Sequence, residues 1–260
     1  MSGALQGESA GLPGTVWDQL TEREREYLRF GRGRFERMLA DLEAIAKPSM
    51  RVGNVGQSLF DLIAHERLRV TSYQCIVPNP EFSPRSPVYS ALPRVYFDVT
   101  ADRGPPEVTF DLVVFAEVLE HLLADDGVVM RRVRQLVTPG GLLWMSVPNA
   151  LRFSNRFGVP VGRNPFPPKQ KILGGTFGGY GHIREYSLPE LRHLLVDAGF
   201  QILRVWGLNG YGTAGQRAAL NLLPVSCAST LVAWARAPAM KDAGRETDGT
   251  SGPPPAGWVG

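Results

Sequence analysis

The sequence has little cysteine, no long hydrophobic run and almost no net charge. Cys75 and Cys227 are its two cysteines, and the opening residues MSGALQGESAGLPG contain neither a basic nor an apolar stretch. This composition excludes a disulfide-rich secreted domain and indicates no secretory signal. Apolar runs such as 141–147 are far shorter than the roughly 18 residues of a membrane span. We therefore expect a soluble, cytoplasmic protein without a membrane span.

The charge balance also excludes a partner class. Lys and Arg total 28 against 25 Asp and Glu, which leaves a formal net charge of +3. A protein that follows nucleic-acid phosphates usually concentrates its basic residues on one face, and here Glu and Arg interleave between residues 22 and 37. That segment is typical of a solvated helix with ion pairs, and nucleic acid is not the expected partner.

The chain divides into two polar ends, a helical segment and a long patterned region. Residues 1–14 and 238–260 are rich in small or polar residues without periodicity, which predicts disorder at both ends. Apolar residues recur at helical spacing over 15–48, and Thr21 with Glu24 forms a capping box, so this segment predicts a helical cap. Residues 49–237 form the main domain.

Within the main domain, short β-rich runs alternate with helical patterns. The predicted strands are 50–55, 68–77, 94–99, 110–116, 141–148, 201–207 and 229–237, and the predicted helices are 58–66, 117–137 and 187–197. Such alternation favours an α/β fold with a mostly parallel sheet. Five prolines between 78 and 93 predict an extended connection where another helix would be expected.

Two strand-to-helix corners carry the candidate functional residues. RVGNVGQSLF (51–60) places a glycine turn between a strand and a helix, which suits a polar ligand but also an ordinary tight turn. At the second corner, Glu117, Glu120 and His121 follow the strand 110–116, and their spacing would put them on one helical face. They predict either a functional cluster or a solvent-facing ion-pair surface with Arg131 or Arg132.

Three ordered motifs carry a resemblance to a known family. They are FDLVVFAEVLEHL, VRQLVTPGGLLWMSVPN and GHIREYSLPELRHLLVDAGFQI. Over residues 50–206 the chain resembles class I S-adenosylmethionine-dependent methyltransferases, above all the small-molecule O-methyltransferases of quinone, polyketide and glycan biosynthesis. The resemblance implies a Rossmann-like sheet whose last strand is antiparallel, with S-adenosylmethionine as cofactor.

The same resemblance implies which residues hold the cofactor. They are Asn54, Val55, Gly56, Gln57, Ser58, Gln74, Asp98, Val99 and Ala116. Two departures from the family pattern stand out: Gln57, Ser58 and Phe60 replace small residues, and Gln74 or Asn79 replaces the ribose-binding acid. Loss of one charged hydrogen-bond partner costs about 1.5–3 kcal/mol, so weakened or lost cofactor binding is expected.

A second set implied by the resemblance comprises Glu117, Glu120, His121 and His182. These residues are similar to a divalent-cation set found in some related enzymes, and two carboxylates with two imidazoles would suit Mn²⁺, Fe²⁺ or Zn²⁺. Without a metal, His121 or His182 could act as general base, with Glu117 as a further catalytic residue.

The long segment before His182 predicts a lid. Residues 152–181 are dense in glycine, proline and aromatic residues, and such long connections are usually functional. Its aromatic residues could cover the substrate or could merely anchor a surface loop. They are Phe153, Phe157, Phe166, Phe177 and Tyr180.

Together these observations predict methyl transfer from S-adenosylmethionine to a hydroxyl of a small molecule, such as a phenol, a sugar or a natural-product intermediate. An inactive binding or scaffold protein that keeps the fold is the alternative. A dinucleotide oxidoreductase is the weaker rival because the chain has no G-x-G-x-x-G motif. The oligomeric state stays open.

Overall fold

The computed structural model describes residues 12, 14–82, 87–101, 104–166, 168–173, 181–209 and 214–239. The predictions of disorder for 1–14 and 238–260 therefore fall mostly outside the described residues. So do the predicted lid residues Phe177 and Tyr180.

One seven-stranded sheet forms the centre of the protein. Its strands are β1 (Arg51–Val55), β2 (Ser72–Val77), β3 (Arg94–Tyr96), β4 (Phe110–Ala116), β5 (Val137–Pro148), β6 (Gln201–Leu208) and β7 (Thr230–Arg236). Their order is β3-β2-β1-β4-β5-β7-β6, and β7 pairs antiparallel with both of its neighbours while the other pairs are parallel. The predicted α/β fold, Rossmann-like and mostly parallel with an antiparallel last strand, is confirmed.

Helices cover both faces of this sheet. They are α1 (Gly14–Gln19), α2 (Glu22–Glu43), α3 (Leu59–Arg67), α4 (Asp126–Leu136), α5 (Phe153–Gly158), α6 (Lys169–Leu173), α7 (Leu188–Asp197) and α8 (Ala214–Leu220). Strand β4 shows why two layers form, because successive side chains point to opposite faces. Leu112 and Val114 join the core beneath α2 and α3, while Val113 and Phe115 join the core beneath α4 and α7.

Helix α2 follows its sequence pattern at the start and departs from it in the middle. The capping box of Thr21 and Glu24 is confirmed, and Arg32 pairs with Glu36 on the exposed face at 2.9 Å. Arg34, however, is only 8% exposed and faces the sheet. The prediction that the whole Glu/Arg segment is a solvated face is wrong at this position, and the exception matters for the site.

The predicted helix over 117–137 is also wrong in its first half. Glu117 has a left-handed backbone with φ of 54°, which an α-helix cannot continue. A short 3₁₀ turn, Leu119–His121, follows, and α4 begins only after Asp125, whose side chain accepts a hydrogen bond from the Val128 amide at 2.8 Å. Glu117, Glu120 and His121 therefore lie on a non-helical corner rather than on one helical face.

The other differences are three short helices that the patterns did not predict, α5, α6 and α8, and shifts at element ends. Strand β2 begins at Ser72 rather than 68, and β3 ends at Tyr96 rather than 99. The proline-rich connection contains a 3₁₀ turn, Pro87–Ala91, as its regular part among the described residues. Both cysteines are free thiols, and no helix in the described ranges has the length and hydropathy to cross a bilayer.

Candidate active site

The strand order reverses between β1 and β4, and ligands of open α/β sheets bind at the carboxyl ends beside such a reversal. Gly56 follows β1 at this point with φ of 96°, and its amide donates to the Ile76 carbonyl at 2.8 Å. A Cβ on Gly56 would meet only the Val118 side chain, at 3.5 Å. The corner therefore presents open backbone next to Val55, at the junction of the two strands.

Asp61 on α3 anchors this corner through hydrogen bonds. Its fully buried carboxylate accepts hydrogen bonds from Asn54 Nδ2 and the Tyr73 hydroxyl at 2.7 Å, and from the Ser58 amide at 2.6 Å and hydroxyl at 3.0 Å. Burial raises the pKa of Asp61, and the hydrogen bonds from Tyr73, Ser58 and Asn54 oppose that rise. Asn54 and Ser58, both predicted to bind cofactor, therefore both hydrogen-bond Asp61, with Asn54 buried and Ser58 exposed.

The side chains of Gln57 and Phe60 lie beside the glycine corner and do not fill it. Gln57 Nε2 donates to the Tyr89 carbonyl at 3.1 Å, while its buried Oε1 has no hydrogen-bond partner among the described residues. Phe60 is buried and packs against Phe35 of α2, with ring centroids 5.8 Å apart. The bulk of these side chains, which departs from the family pattern, is thus accommodated beside the turn, and Gln57 keeps one acceptor for a ligand.

Gln74 does not lie at the ligand edge. It sits in the middle of β2 and lines a cavity of about 340 Å³ together with Thr71, which precedes the strand, and His65 of α3. The prediction that Gln74 holds a ribose is therefore wrong, because the carboxyl end of β2 lies beyond Val77. Asn79, the alternative, is exposed just past that end.

Asp98 and Val99 follow β3 at the ligand edge. Asp98 Oδ1 accepts hydrogen bonds from the Thr100 amide at 2.8 Å and its hydroxyl at 2.6 Å, which fixes the turn, and Val99 is buried. Asp98 therefore supplies a carboxylate just past the carboxyl end of β3.

At the end of β4, Ala116 leads into the strained residue Glu117. The Glu117 amide donates to the Ser146 carbonyl at 3.0 Å, and Glu117 Oε1 accepts from the Ser146 hydroxyl at 2.9 Å. Its Oε2 accepts from Arg34 Nη1 at 3.4 Å, and Arg34 Nη2 in turn donates to the Tyr27 hydroxyl at 2.6 Å. Glu117 therefore joins the sheet to the N-terminal helices. Its carboxylate is held in place by Arg34 and Ser146.

Glu120 is the unusual group of the corner. Its side chain is completely buried, and neither carboxylate oxygen has a hydrogen-bond partner in the described structure. Burial, reinforced by the charge of Glu117, raises the pKa of Glu120 well above its usual range. A buried carboxylate without donors is unstable as an anion unless a proton or a cation neutralises it.

Two imidazoles surround this carboxyl group. His121 Nε2 lies 3.7 Å and His182 Nε2 lies 4.0 Å from Glu120 Oε1, and the two rings meet edge to face with centroids 5.0 Å apart. The Ile183 amide donates to the Glu120 carbonyl at 2.7 Å, which anchors the His182 loop to the β4 corner. One ligand atom from each of Glu120, His121 and His182 lies within 4.8 Å of the others. Glu117, the fourth residue of the predicted metal set, is bound to Arg34 and Ser146 instead.

Glu185 and Arg152 orient His182 from the other side. His182 Nδ1 lies 3.4 Å from Glu185 Oε1, and Glu185 is also ion-paired with Arg152 Nη1. Burial raises the pKa of Glu185, but the hydrogen bond to His182 and the Arg152 charge outweigh it and hold the pKa below its usual value. Glu185 is thus a carboxylate that can fix the His182 ring and stabilise its protonated form.

A cavity of about 290 Å³ opens beside this group. Besides His182 and Glu185 it is lined by Arg152, Pro165, Phe166 and Lys171. Gly181 packs directly on α6, since its amide donates to the Ile172 carbonyl at 2.7 Å and a Cβ would fall 2.3 Å from the Lys171 carbonyl. Helix α6 is therefore held against Gly181, the residue that precedes His182.

The Glu185–Arg152 pair gives a pH-dependent prediction. Arg152→Gln should lower the free energy of unfolding by about 1–2 kcal/mol at pH 7, because it removes the charge that stabilises a mostly buried carboxylate. Since the folded pKa of Glu185 lies below its unfolded value of about 4.3, this stabilisation is present above that value and is lost as pH falls through the folded pKa. Urea unfolding at pH 7 and near pH 3 measures both.

The part of the difference that survives at low pH is the bond from Arg152 to the Asn149 carbonyl, at 3.2 Å. Arg192→Gln, an exposed substitution on α7, is the control and should change stability little at either pH. An equal loss at both pH values for Arg152→Gln would show that the carboxylate pairing is not what the arginine contributes.

Comparison with known proteins decides the family. Residues 40–205, most of the chain, match the family model described as a methyltransferase domain. The chain belongs to the class I S-adenosylmethionine-dependent methyltransferases. The matched range of the chain includes the glycine corner, the β4 corner and the His182 loop.

Curated relatives match only part of this chain. A probable S-adenosylmethionine-dependent methyltransferase of Mycobacterium tuberculosis strain H37Rv is 34% identical over 103 residues, which are 40% of this chain and 31% of the relative. One of Mycolicibacterium smegmatis is 32% identical over 110 residues, covering 42% and 36%. The alignments thus span about a third of the length of the curated relatives.

Solved structures share the fold at low identity. An S-adenosylmethionine-dependent methyltransferase of Mesorhizobium loti superposes with a TM-score of 0.50 at 17% identity, covering 76% of this chain and 96% of the other. N-methyltransferase NodS of Bradyrhizobium japonicum, solved with S-adenosyl-L-homocysteine, gives 0.50 at 14% identity and covers 86% and 97%. The cyclase SpnF also gives 0.50 at 14% identity, covering 80% and 81%. Such similarity establishes the fold alone.

Sequence reasoning missed four residues that shape the site: Arg34, Asp61, Arg152 and Glu185. One signal for Arg34 was present in the sequence, since it follows Tyr27 by seven residues beside the apolar stripe of Leu28 and Phe35. An arginine at such a position favours a buried charge partner. Asp61 had a local signal as well, since Ser58 and Asp61 form a capping box at the start of α3, whereas the Arg152–Glu185 pair joins residues 33 positions apart.

Proposed function

We propose that this protein transfers the methyl group of S-adenosylmethionine to a hydroxyl of a small molecule, with His182 or His121 removing the hydroxyl proton. The observation that carries this proposal is the pair of imidazoles around buried Glu120, placed at the carboxyl edge of β4 next to the glycine corner of β1. Family membership supports the cofactor, and the site chemistry supports an oxygen acceptor because a base is present to accept its proton.

The residues at the edge fit the cofactor. Gly56 offers open backbone with φ of 96°, the buried Gln57 Oε1 lacks a partner among the described residues, and Asp98 lies at the β3 end of the edge. We assign the cofactor to Val55, Gly56, Gln57, Asp98, Val99 and Ala116, with Asn79 in the place of Gln74. When bound, S-adenosylmethionine supplies a methyl group activated by its sulfonium.

His182 is the stronger candidate base. Glu185 accepts from its Nδ1, which leaves Nε2 directed towards Glu120 and His121. The acceptor proton would pass to this Nε2 as the new oxygen–carbon bond forms, and the ionised Glu185 would stabilise the resulting imidazolium. His121, about one third exposed, lies on the other side of Glu120 and would position the acceptor or share the proton. Glu117 acts as a positioning residue through Arg34 and Ser146.

A divalent metal is a second candidate for the same cluster. The donor set of Glu120, His121 and His182 fits Mn²⁺, Fe²⁺ or Zn²⁺, and a cation would neutralise the two carboxylate oxygens that lack donors. Its chemistry there would be to bind the acceptor oxygen and lower the pKa of the hydroxyl.

An inactive binding protein with this fold is the rival function. It is favoured by buried Asn54, whose side-chain amide hydrogen-bonds Asp61 instead of facing a ligand. The two functions differ in one measurable property, the affinity for the cofactor product.

Calorimetry with S-adenosylhomocysteine provides the test. We expect saturable binding, and Gly56→Ala should weaken it about tenfold or more because a side chain at φ of 96° strains the turn that faces the ligand. Gly199→Ala is the matched control: Gly199 also has a positive φ, 80°, with open space around it, but it ends α7. It should leave the affinity unchanged.

Absence of heat with the wild-type protein at millimolar S-adenosylhomocysteine would favour the inactive binding protein over the methyltransferase. Equal weakening by both glycine variants would show that loss of stability, not the corner, controls binding.

A further inference from the structure

The segment 151–173, which overlaps the predicted lid, carries a concentration of exposed apolar side chains. Of the thirteen large hydrophobic side chains exposed in the described part of the chain, seven lie between residues 151 and 173. They are Leu151, Phe153, Phe157, Val159, Val161, Phe166 and Leu173. Phe157 is 64% and Val161 73% exposed, which is costly in water unless another surface covers them.

The same segment carries charge of a single sign. Residues 150–181 contain five cations and no acid, and the acid-free stretch extends from Gly127 to Arg184. The cations are Arg152, Arg156, Arg163, Lys169 and Lys171. All but Arg152 are exposed, in a protein whose net charge is only +3. Exposed apolar and basic side chains therefore occur together on this one segment of the chain.

Three kinds of partner could cover an apolar surface, and the charge distinguishes them. A second copy of the chain in a two-fold dimer would place these cations against their own equivalents, which is unfavourable. Single-stranded nucleic acid stacks on aromatic rings, but four of the seven exposed side chains are aliphatic and offer no stacking surface. An anionic lipid surface satisfies both features, since apolar side chains insert at the acyl boundary and Lys and Arg contact the headgroups.

We propose that the segment 151–173 is a docking surface for an anionic membrane. The short 3₁₀ turn Val159–Val161, followed by Gly162 with φ of 80° and exposed Arg163, is the part that inserts. Phe166 and Lys171 belong both to this surface and to the wall of the His182 cavity. Docking would therefore place that cavity against the lipid headgroups.

Vesicle co-sedimentation tests the proposal with the full-length protein. Vesicles of phosphatidylcholine containing about one quarter phosphatidylglycerol should bind the protein at about 0.05 M salt, and pure phosphatidylcholine or about 0.5 M salt should release it. Arg163→Gln with Lys169→Gln should weaken binding about 30-fold, since each charge near the surface contributes about fivefold. Phe157→Ser with Val161→Ser should weaken it at least about tenfold.

Matched controls lie elsewhere on the surface. Arg69→Gln with Arg192→Gln removes two exposed cations, and Val196→Ser with Leu203→Ser removes two exposed apolar side chains, all outside the lid. Each control should retain wild-type binding. Thermal unfolding of every variant shows whether it is folded, and exposed substitutions should change stability little.

Several results would overturn the proposal. They are no binding of the wild-type protein to anionic vesicles, equal losses in control and lid variants, tighter binding to single-stranded poly(U), or a dimer in ultracentrifugation that the Phe157→Ser and Val161→Ser variant disrupts. The vesicles contain neither cofactor nor acceptor, so the result is independent of the proposed methyl transfer.

Discussion

Replacing His182 with alanine should slow formation of S-adenosylhomocysteine about 10²- to 10⁴-fold, the range contributed by a positioned general base. The loss should appear in the rate and not in cofactor affinity, because His182 faces Glu120 and Glu185 rather than the glycine corner. His121→Ala should give a smaller loss, since Glu185 orients the His182 ring, whereas His121 packs on His182 and lies beside buried Glu120. The rate is measured with the best acceptor from a panel of catechols, flavonoid phenols and methyl glycosides.

The remaining histidines of the chain offer a matched control. His193 on α7 is exposed and pairs with Asp197 at 3.0 Å, far from any role at the carboxyl edge, so His193→Ala should retain the wild-type rate. Treatment with a chelator should also leave the rate unchanged if an imidazole is the base. A rate lost on chelation and restored by Mn²⁺ or Zn²⁺ would instead identify the Glu120, His121 and His182 cluster as a metal site. Wild-type turnover in His182→Ala would contradict both mechanisms.

Removing the Asp61 carboxylate should produce the largest loss of stability. Asp61→Ala leaves the Asn54 amide, the Tyr73 hydroxyl and the Ser58 amide without their acceptor, and two of these groups are buried. Each unsatisfied buried donor costs about 1–3 kcal/mol, so we expect a total loss of about 3–5 kcal/mol. For a domain of this size the melting temperature should fall by roughly 10 °C.

Two milder variants show whether the network causes this loss. Tyr73→Phe removes one of the four hydrogen bonds to Asp61 and should cost about 1–2 kcal/mol. Asp125→Ala removes an exposed N-cap of α4 and should cost about 1 kcal/mol. Urea unfolding gives the three values. A loss for Asp61→Ala no larger than that of the exposed Asp125→Ala would mean that the network contributes little.

Much of the site position was predictable from local patterns. The apolar run of β4, the glycine turn after β1 and the helical pattern of 187–197 set where strands end and helices start, and all three are present in the structure. The position of the carboxyl edge of the sheet followed from these strand ends, because parallel strands end on the same side of a sheet. The Gln74 prediction failed although the predicted strand 68–77 ended at the right residue, because Gln74 lies in the middle of β2 and not at its carboxyl end.

The ion pairs of the site could not be predicted in the same way. Arg34 and Glu117 are separated by 83 residues, and Arg152 and Glu185 by 33. Whether Glu117 has a helical or a left-handed backbone depends on the bond to Ser146 in the next strand, which competes with the helix that its spacing predicts. Local propensity is weak compared with such tertiary contacts.

The sequence by itself determined the order of strands and helices, the ends of β4 and β7, and the family, because these depend on periodicities and caps contained within a few consecutive residues. Only the tertiary structure decided which of four candidate ligands meet. It placed Glu120, His121 and His182 together and joined Glu117 to Arg34 instead. The physical reason is that burial and charge pairing belong to the packed chain: a carboxylate acquires its pKa and its partner only when distant segments enclose it.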